Sequence, residues 1–351
     1  MALSLASEKQ RWHDHRLDEN RFNFLPLPWL PSIARGFHKA PQCRRVIRQV
    51  ERQSDVVIVQ LPFAAPLALV GPRVPRVYHI CADVRQIAHT SPWYRGPKRL
   101  VALTASNGID RLYRHLLHAP HTKVITNGED LLRAYKLEQG RSVVSSTLLS
   151  SEVMSVVRAR PADAPFRVLF VGYLRHEKGI DTLFEAFNRL LDELPTAELC
   201  FVGSQNMEDR GMTDDVANWV RHLQQRATVE FLGHRNFGEE LFQCFADADV
   251  LAVPSRSEGT PRVLVEARAF GCTVVASRVG GIPSSVTDEV DGLLVPPDDV
   301  YALSTALLRI ARDGVLRQGL IKAGIRRAKE TTVESFAQAI AGEVAASARA
   351  A

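Results

Sequence analysis

Residues 254–283 read PSRSEGTPRVLVEARAFGCTVVASRVGGIP. The apolar run that enters this stretch, LAVPS (251–255), has the character of a buried strand leaving a core. A loop, SEGTPR, follows, then a helix-spaced apolar run, VLVEARAF, a second strand, CTVVAS, and a glycine turn, VGGIP. Strand, loop, helix, strand and loop make one doubly wound α/β unit, whose ligands bind at the carboxyl ends of the strands. Glu258 falls in the loop and Glu266 within the first turns of the helix, so both carboxylates are predicted near that end.

Working outward, the same alternation fills the second half of the chain. Strands are predicted at 167–172 (RVLFVG), 198–203 (ELCFVG), 228–233 (TVEFLG), 249–255 (DVLAVPS) and 292–297 (GLLVPP), with helices between them. Two helical stretches, VYALSTALLRIARD and ESFAQAIAGEVAASARA, close the chain. The first half shows strands at 21–28, 55–63 (DVVIVQLPF), 76–81 (RVYHIC), 100–106 (LVALTAS), 123–127 and 142–149. Residues 2–12 read as a short helix, and 32–53 as a broken one. Near-continuous β-branched runs such as DVVIVQLPF are expected of parallel strands covered on both faces. The Pro- and Ala-containing stretch RARPADAP (158–165) reads as a linker. Three segments are therefore predicted: an N-terminal Rossmann-like domain over 1–157, a C-terminal one over 166–325, and a final helix, 326–351, packing back on the first domain. Two such domains in series leave a cleft, the usual place for a ligand.

Composition narrows the class. At 351 residues, with 46% hydrophobic and 24% charged residues, the chain fits an ordinary two-domain globular protein. No apolar run approaches the roughly 18 residues of a membrane span, and the start, MALSLASEKQ, lacks a signal-peptide pattern. Five scattered cysteines without CxxC spacing predict free thiols in a reducing cytosol. Charge is unevenly spread. Residues 1–150 hold 22 Lys+Arg against 11 Asp+Glu, a net +11, whereas the remainder holds 22 against 28, a net −6. A basic first half suits an anionic partner, with lipid headgroups or a phosphorylated acceptor the natural classes. A solvated basic surface accounts for the charge equally well. No nucleic-acid partner is expected, and the predicted location is cytoplasmic, peripheral to the inner membrane face.

Three segments carry chemistry. In VGYLRHEKGIDTLFEAF (171–187), Gly172 ends a strand, Arg175, His176, Glu177 and Lys178 fill a loop, and Gly179 opens a helix. Loop cations beside exposed helix-start N–H groups form an anion-binding corner. SEGTPRVLVEA repeats the device: Gly259 and Thr260 precede Pro261, which suits a first helical position. Glu266 is placed to accept ribose hydroxyls, and Glu258 the hydroxyls of a transferred sugar. VGGIP supplies a third glycine turn, and any base is expected around Gly203, Gly233 and Ser255. Each segment alone also has a plain reading, as a solvated turn or a carboxylate offsetting a helix dipole; three after strands of one domain make a site. Asp247-Ala-Asp249 matches a metal-binding DxD, but it falls where a helix hands over to a strand and reads as a turn feature. No G-x-G-x-x-G or Walker loop is present, which argues against dehydrogenases and P-loop nucleotidases.

Taken together, VGYLRHEKGIDTLFEAF, the E-x7-E of SEGTPRVLVEA, FGCTVVASRVGGIPSSV and GLLVPPDD resemble the donor domain of glycosyltransferase family 4, the glycosyl transferases group 1. The resemblance is tight over 167–313 and loose over 55–150. It implies a GT-B fold, two Rossmann-like parallel-sheet domains facing a central cleft, and retaining transfer from a nucleotide-diphosphate sugar without metal or other cofactor. It places Lys178 on the diphosphate, Glu266 on the ribose and Glu258 near the sugar.

Three departures stand out. The family usually has Arg after the glycine of VGRL, where this chain has Tyr173; Arg175 is the candidate to take over that contact. The family's N-terminal domain presents a histidine to the transferred sugar, and His79 and Cys81 compete for that place, with Asp83 next on the acceptor side. The first strand and Gly-rich loop of the fold also look missing, pointing to a start codon placed too late or to a reduced acceptor domain. The functional expectation is a hexosyltransferase-type enzyme acting on a lipid-linked, polysaccharide or other hydroxyl acceptor. The alternatives are a non-catalytic nucleotide-sugar-binding or scaffold protein of the same fold and, behind it, a nucleotide-sugar epimerase.

Overall fold

In the computed structural model, residues 2–5, 24–27, 40–62, 72–90, 96–119, 122–161, 163–203 and 214–349 are described. The backbone clusters into two compact units. The first comprises 1–126, 131–142 and 340–351; the second comprises 127–130 and 143–339.

In the first unit, strands β1 (Ala2–Leu5) and β2 (Phe24–Leu27) pair in parallel. Residues 2–5 are thus extended, not helical, which corrects the expectation for the start of the chain; the residues that follow, where a Gly-rich loop looked missing, lie outside the described ones. Helix α1 (Ala40–Glu51) packs Cys43, Ile47 and Val50 inward. A four-stranded sheet follows in the order β3 (Val57–Leu61), β4 (Arg76–Ile80), β5 (Thr122–Asn127), β6 (Arg141–Val143). Its first three strands are parallel. Every residue of β4 is buried, as its β-branched and aromatic sequence predicts for a central strand. Buried Arg76 is held by Glu51 at 2.7 Å.

Helices α2 (Val84–Thr90), α3 (Pro97–Leu117) and α4 (Glu129–Tyr135) complete the unit's local structure. The strand expected at 100–106 is the start of α3 instead. Its apolar run imitates a buried strand, yet Leu100 and Val101 are exposed, so no sheet covers them. Likewise the strand expected over 142–149 ends at Val143.

The second unit holds β7 (Arg167–Val171), β8 (Glu198–Val202), β9 (Val229–Phe231), β10 (Val250–Val253), β11 (Thr273–Ser277) and β12 (Leu293–Val295) in one parallel sheet. Its order is β12-β11-β10-β7-β8-β9. The strand order therefore reverses between β7 and β10, and the loops leaving those strands diverge at their carboxyl ends, where ligands of doubly wound sheets bind.

The intervening helices α5 (Ile180–Glu193), α6 (Asp214–Gln224), α7 (Glu239–Ala246), α8 (Val263–Ala269) and α9 (Ile282–Ser285) cover both faces. One core gathers Phe170, Phe184, Phe187 and Phe201; the other gathers Phe242, Phe245, Leu264 and Phe270. Helices α10 (Val300–Arg312) and α11 (Gly314–Glu330) start at Asp299 and Asp313, each capping a backbone N–H three residues on at 2.9 Å. The periodicity argument passes over α11, since it buries only Leu320, Gly324 and Ala328, too thin a stripe to read. The chain ends in α12 (Val333–Arg349).

RARPADAP is tied down. Asp247 accepts from the Ala159 and Arg160 N–H groups at 2.7 and 3.1 Å, and Arg158 pairs with Asp249 at 2.9 Å. The two acids of the DxD-like triplet are thereby engaged in structure, as a turn feature would be. All five cysteines are free thiols.

Candidate functional site

The loops after β7 and β10 are stitched together. Beyond β7 the chain passes Gly172, Tyr173 and Arg175, makes one 3-10 turn at His176–Lys178, and enters α5 through Gly179. Gly179 has φ 65°, and a Cβ there would lie 2.0 Å from the Pro254 carbonyl oxygen. Only glycine tolerates both the left-handed backbone and that approach. Gly203, after β8, is under the same constraint, with a Cβ 2.0 Å from the Gly172 carbonyl oxygen.

This close approach brings together side chains that are distant in sequence. Lys178 Nζ donates to Glu258 Oε1 at 2.5 Å, and Ser255 Oγ donates to the same oxygen at 2.7 Å. Arg256 forks onto Asp181 at 2.8 and 2.6 Å, reaches Asp298 at 2.6 Å, and donates to the His176 carbonyl at 2.5 Å. Its backbone N–H adds a bond to the Glu177 carbonyl. Burial opposes ionisation of Asp181, but the Arg256 hydrogen bonds outweigh it and hold the carboxyl below its ordinary range. Nearby, the Arg175 guanidinium stacks over the half-exposed Tyr173 ring, 4.7 Å from its centroid, with Nε unpartnered among the described residues.

The second wall begins at Gly259. The Gly281 N–H donates to the Gly259 carbonyl at 2.8 Å, and a Cβ on Gly281 would lie 2.3 Å from Thr260 Oγ1. Thr260 is buried and donates to the Asn127 carbonyl at 2.9 Å, so its hydroxyl proton is committed to the scaffold. Pro261 opens the turn into α8, its carbonyl accepting from the Leu264 N–H. Glu266 lies on the first turn of α8 and is only 8% exposed. Burial pushes its carboxyl upward, moderated by a 2.6 Å hydrogen bond from Thr147 and by the charge of Arg262.

In the first unit, His79 is buried in the middle of the sheet, opposite Gln60 and Ile125. Burial lowers its pKa, favouring the neutral ring. Cys81 Sγ lies 3.6 Å from His79 Nδ1 and accepts from Gln60 Nε2 at 3.1 Å, so the two residues do share one side of the strand. Asp83 accepts the Arg85 N–H at 2.8 Å, acting as the N-cap of α2.

Residues 157–327 match the family model described as glycosyl transferases group 1. The second unit belongs to that family. A D-inositol 3-phosphate glycosyltransferase from Corynebacterium diphtheriae is 33% identical over 170 residues, covering 48% of this chain and 40% of the relative. The chain thus aligns with less than half the length of the curated relatives it matches. Among solved structures, a sucrose-phosphate synthase from Thermosynechococcus elongatus superposes with a TM-score of 0.70 at 23% identity, covering 97% of this chain and 86% of that one. The Anabaena protein HepE, in complex with UDP and glucose, gives 0.68 at 19% identity, covering 93% and 87%. These likenesses show the GT-B fold.

Within this group 1 domain the structure brings Gly172, Arg175, Lys178, Gly179, Ser255 and Glu258 to the β7 and β10 loop ends. Gly259, Thr260, Pro261 and Glu266 form the adjoining turn and helix. His79 and Asp83 belong to the other unit. Among the described residues no cluster of three or more His, Cys, Asp or Glu is arranged to hold a metal ion. Sequence reasoning missed Arg256, though it stands inside the decisive stretch. An arginine two residues before the loop glutamate, with Asp181 just past the opposing glycine, was the available signal. Thr147 gave none, lying 119 residues from Glu266.

Proposed function

We propose that this chain is a retaining glycosyltransferase that moves a sugar from a nucleotide-diphosphate sugar to a hydroxyl of a lipid-linked, polysaccharide or other acceptor. The observation that carries the reading is the Lys178–Glu258 contact at the point where strand order reverses. A cation and a carboxylate held together there suit the two halves of a donor, its anionic diphosphate and its hydroxyl-bearing sugar.

In this reading the acceptor oxygen bonds to the anomeric carbon as the bond from that carbon to the diphosphate oxygen breaks. The electron pair leaves with the diphosphate, which takes up the acceptor proton on the same face. Lys178 and Arg175 meet the developing charge, so no metal is assigned to the step. Glu258 accepts sugar hydroxyls. Glu266 accepts a ribose hydroxyl on Oε2 while Thr147 holds Oε1. Gly172, Gly179, Gly203, Gly259 and Pro261 let the backbone approach the donor, and Ser255 fixes the Glu258 carboxylate. From the first unit, His79 is assigned to the transferred sugar and Asp83 to the acceptor side. The basic first half is assigned to an anionic membrane surface.

Incubation with a panel of uridine, guanosine and adenosine diphosphate sugars tests the reading through release of the nucleoside diphosphate. Lys178→Met is expected to lower turnover by roughly 10²–10³-fold, the usual cost of one lost charge-stabilising donor. Turnover unchanged in Lys178→Met refutes the assignment. Thermal stabilisation by a donor with no turnover moves the protein to the non-catalytic binders.

A further inference from the structure

Helix α3 (Pro97–Leu117) is the longest among the described residues of the first unit, about 31 Å at 1.5 Å per residue. Its inner face is conventional: Ser106, Asp110, Tyr113, Leu116 and Leu117 are buried. Its first turn, by contrast, is exposed all round, and the outer face beyond it is bare. Leu100 is 71% exposed and Val101 68% exposed, side by side, next to exposed Lys98 and Arg99. Exposure continues through Thr104, Ala105, Asn107 and Gly108 to Arg111 and His115. No acidic residue occupies any exposed position of the helix. Its one acid, Asp110, is turned inward and paired with Arg114 at 2.8 Å and Arg85 at 3.4 Å. Among the described residues Lys98, Arg99 and Arg111 have no ion-pair partner.

Two features run against the needs of a helix facing water. Cations in the first turn oppose the macrodipole, and no side chain caps that end at Gly96. Adjacent exposed Leu and Val gain nothing from solvent. A surface that is anionic at its headgroups and apolar just beneath favours both, and a helix lying in the interface presents this combination of basic and apolar residues. The half of the chain that carries the helix has a net charge of +11.

We propose that the exposed first turn of α3, with the outer face that runs from it to Arg111, docks on an anionic lipid bilayer, with Lys98, Arg99 and Arg111 among the headgroups and Leu100 and Val101 entering the acyl boundary. This rests on the membrane-facing part of the proposed function and gives it an address.

The test uses the full chain and two kinds of vesicle, pure phosphatidylcholine and phosphatidylcholine doped with phosphatidylglycerol, read by co-sedimentation. The wild type is expected to bind only the doped vesicles, and less as salt rises. Lys98→Gln with Arg99→Gln is expected to weaken binding roughly 30-fold, at about 1 kcal/mol per basic residue near the surface. Leu100→Ser with Val101→Ser is expected to weaken it on the order of tenfold. These positions are exposed, so melting temperature and nucleoside-diphosphate binding should not change.

Equal binding to both vesicles, or binding indifferent to both double substitutions, overturns the proposal. Competition by a short RNA duplex, with no effect of the Leu100 and Val101 substitutions, overturns it in favour of a general polyanion surface. Nucleoside-diphosphate binding, followed separately by thermal shift, distinguishes failure here from failure of the donor-site reading.

Discussion

Arg256 offers the sharpest test of how the donor loops are held. Its guanidinium is 21% exposed and its main partner, Asp181, 25%, so the pair stands between a solvated surface contact and a buried one. Exposed pairs contribute about 0–1 kcal/mol and the breaking of buried ones costs about 3–5 kcal/mol. With solvent screening discounted, Arg256→Ala should cost about 1–2 kcal/mol, because it also strips the His176 carbonyl and Asp298 of a donor. For a unit of this size that is a fall in Tm of roughly 2–8 °C.

The functional effect should exceed the stability effect. Arg256 fixes the turn that carries Lys178, and misplacement of a positioning group by about 1 Å can cost about 10²-fold. We expect nucleoside-diphosphate affinity, measured by calorimetry, to fall at least about tenfold. Arg256→Lys should recover only part, since an ammonium cannot fork onto both Asp181 oxygens and still reach Asp298.

The pH dependence gives an independent check. Asp181 has a folded pKa held below its unfolded value, so its contribution is present above the unfolded value and lost as pH falls through the folded one. The wild type should therefore lose its stability advantage over Arg256→Ala only below about pH 4. Equal Tm and equal diphosphate affinity in wild type and Arg256→Ala at pH 7 would refute the clamp.

Gly179→Ala should unfold the second unit or lower its Tm more than Arg256→Ala does, since the new Cβ meets the Pro254 carbonyl at 2.0 Å; a normal melting curve contradicts the close approach. Glu266 has a raised pKa, so its contribution to stability is full below the unfolded pKa and declines as pH rises through the folded one. Glu266→Gln should flatten that decline in a stability-against-pH series above about pH 4.5 while weakening nucleoside-diphosphate affinity, and an unaltered slope argues against the burial effect. Arg175→Ala should weaken diphosphate binding several-fold if the stacked guanidinium has taken the place of an arginine at Tyr173; calorimetry showing unchanged affinity removes Arg175 from the site.

The second unit was legible in sequence because its signals are local. A βα turn writes strand, glycine, loop and helix within about twenty residues, and covered parallel strands such as VLAV announce themselves by composition. Lys178 and Glu258 were each readable from their own turn. The hydrogen bond between them was not, because it depends on Gly179 letting the Pro254 carbonyl approach. Contacts fixed by tertiary closure carry no periodicity: Thr147 on Glu266 and Asn127 on Thr260 each span more than a hundred residues.

The first unit was harder for a physical reason that α3 makes plain. LVALTAS has the β-branched and apolar content of a strand, and local propensity favours that reading. What decides otherwise is the longer frame, in which Ser106, Asp110, Tyr113 and Leu117 recur at helical spacing on the buried face. Leu100 and Val101 mislead because they are apolar without being core. Apolar residues also stand on protein surfaces, so composition read without the helical frame assigns these two to a strand that the fold does not contain.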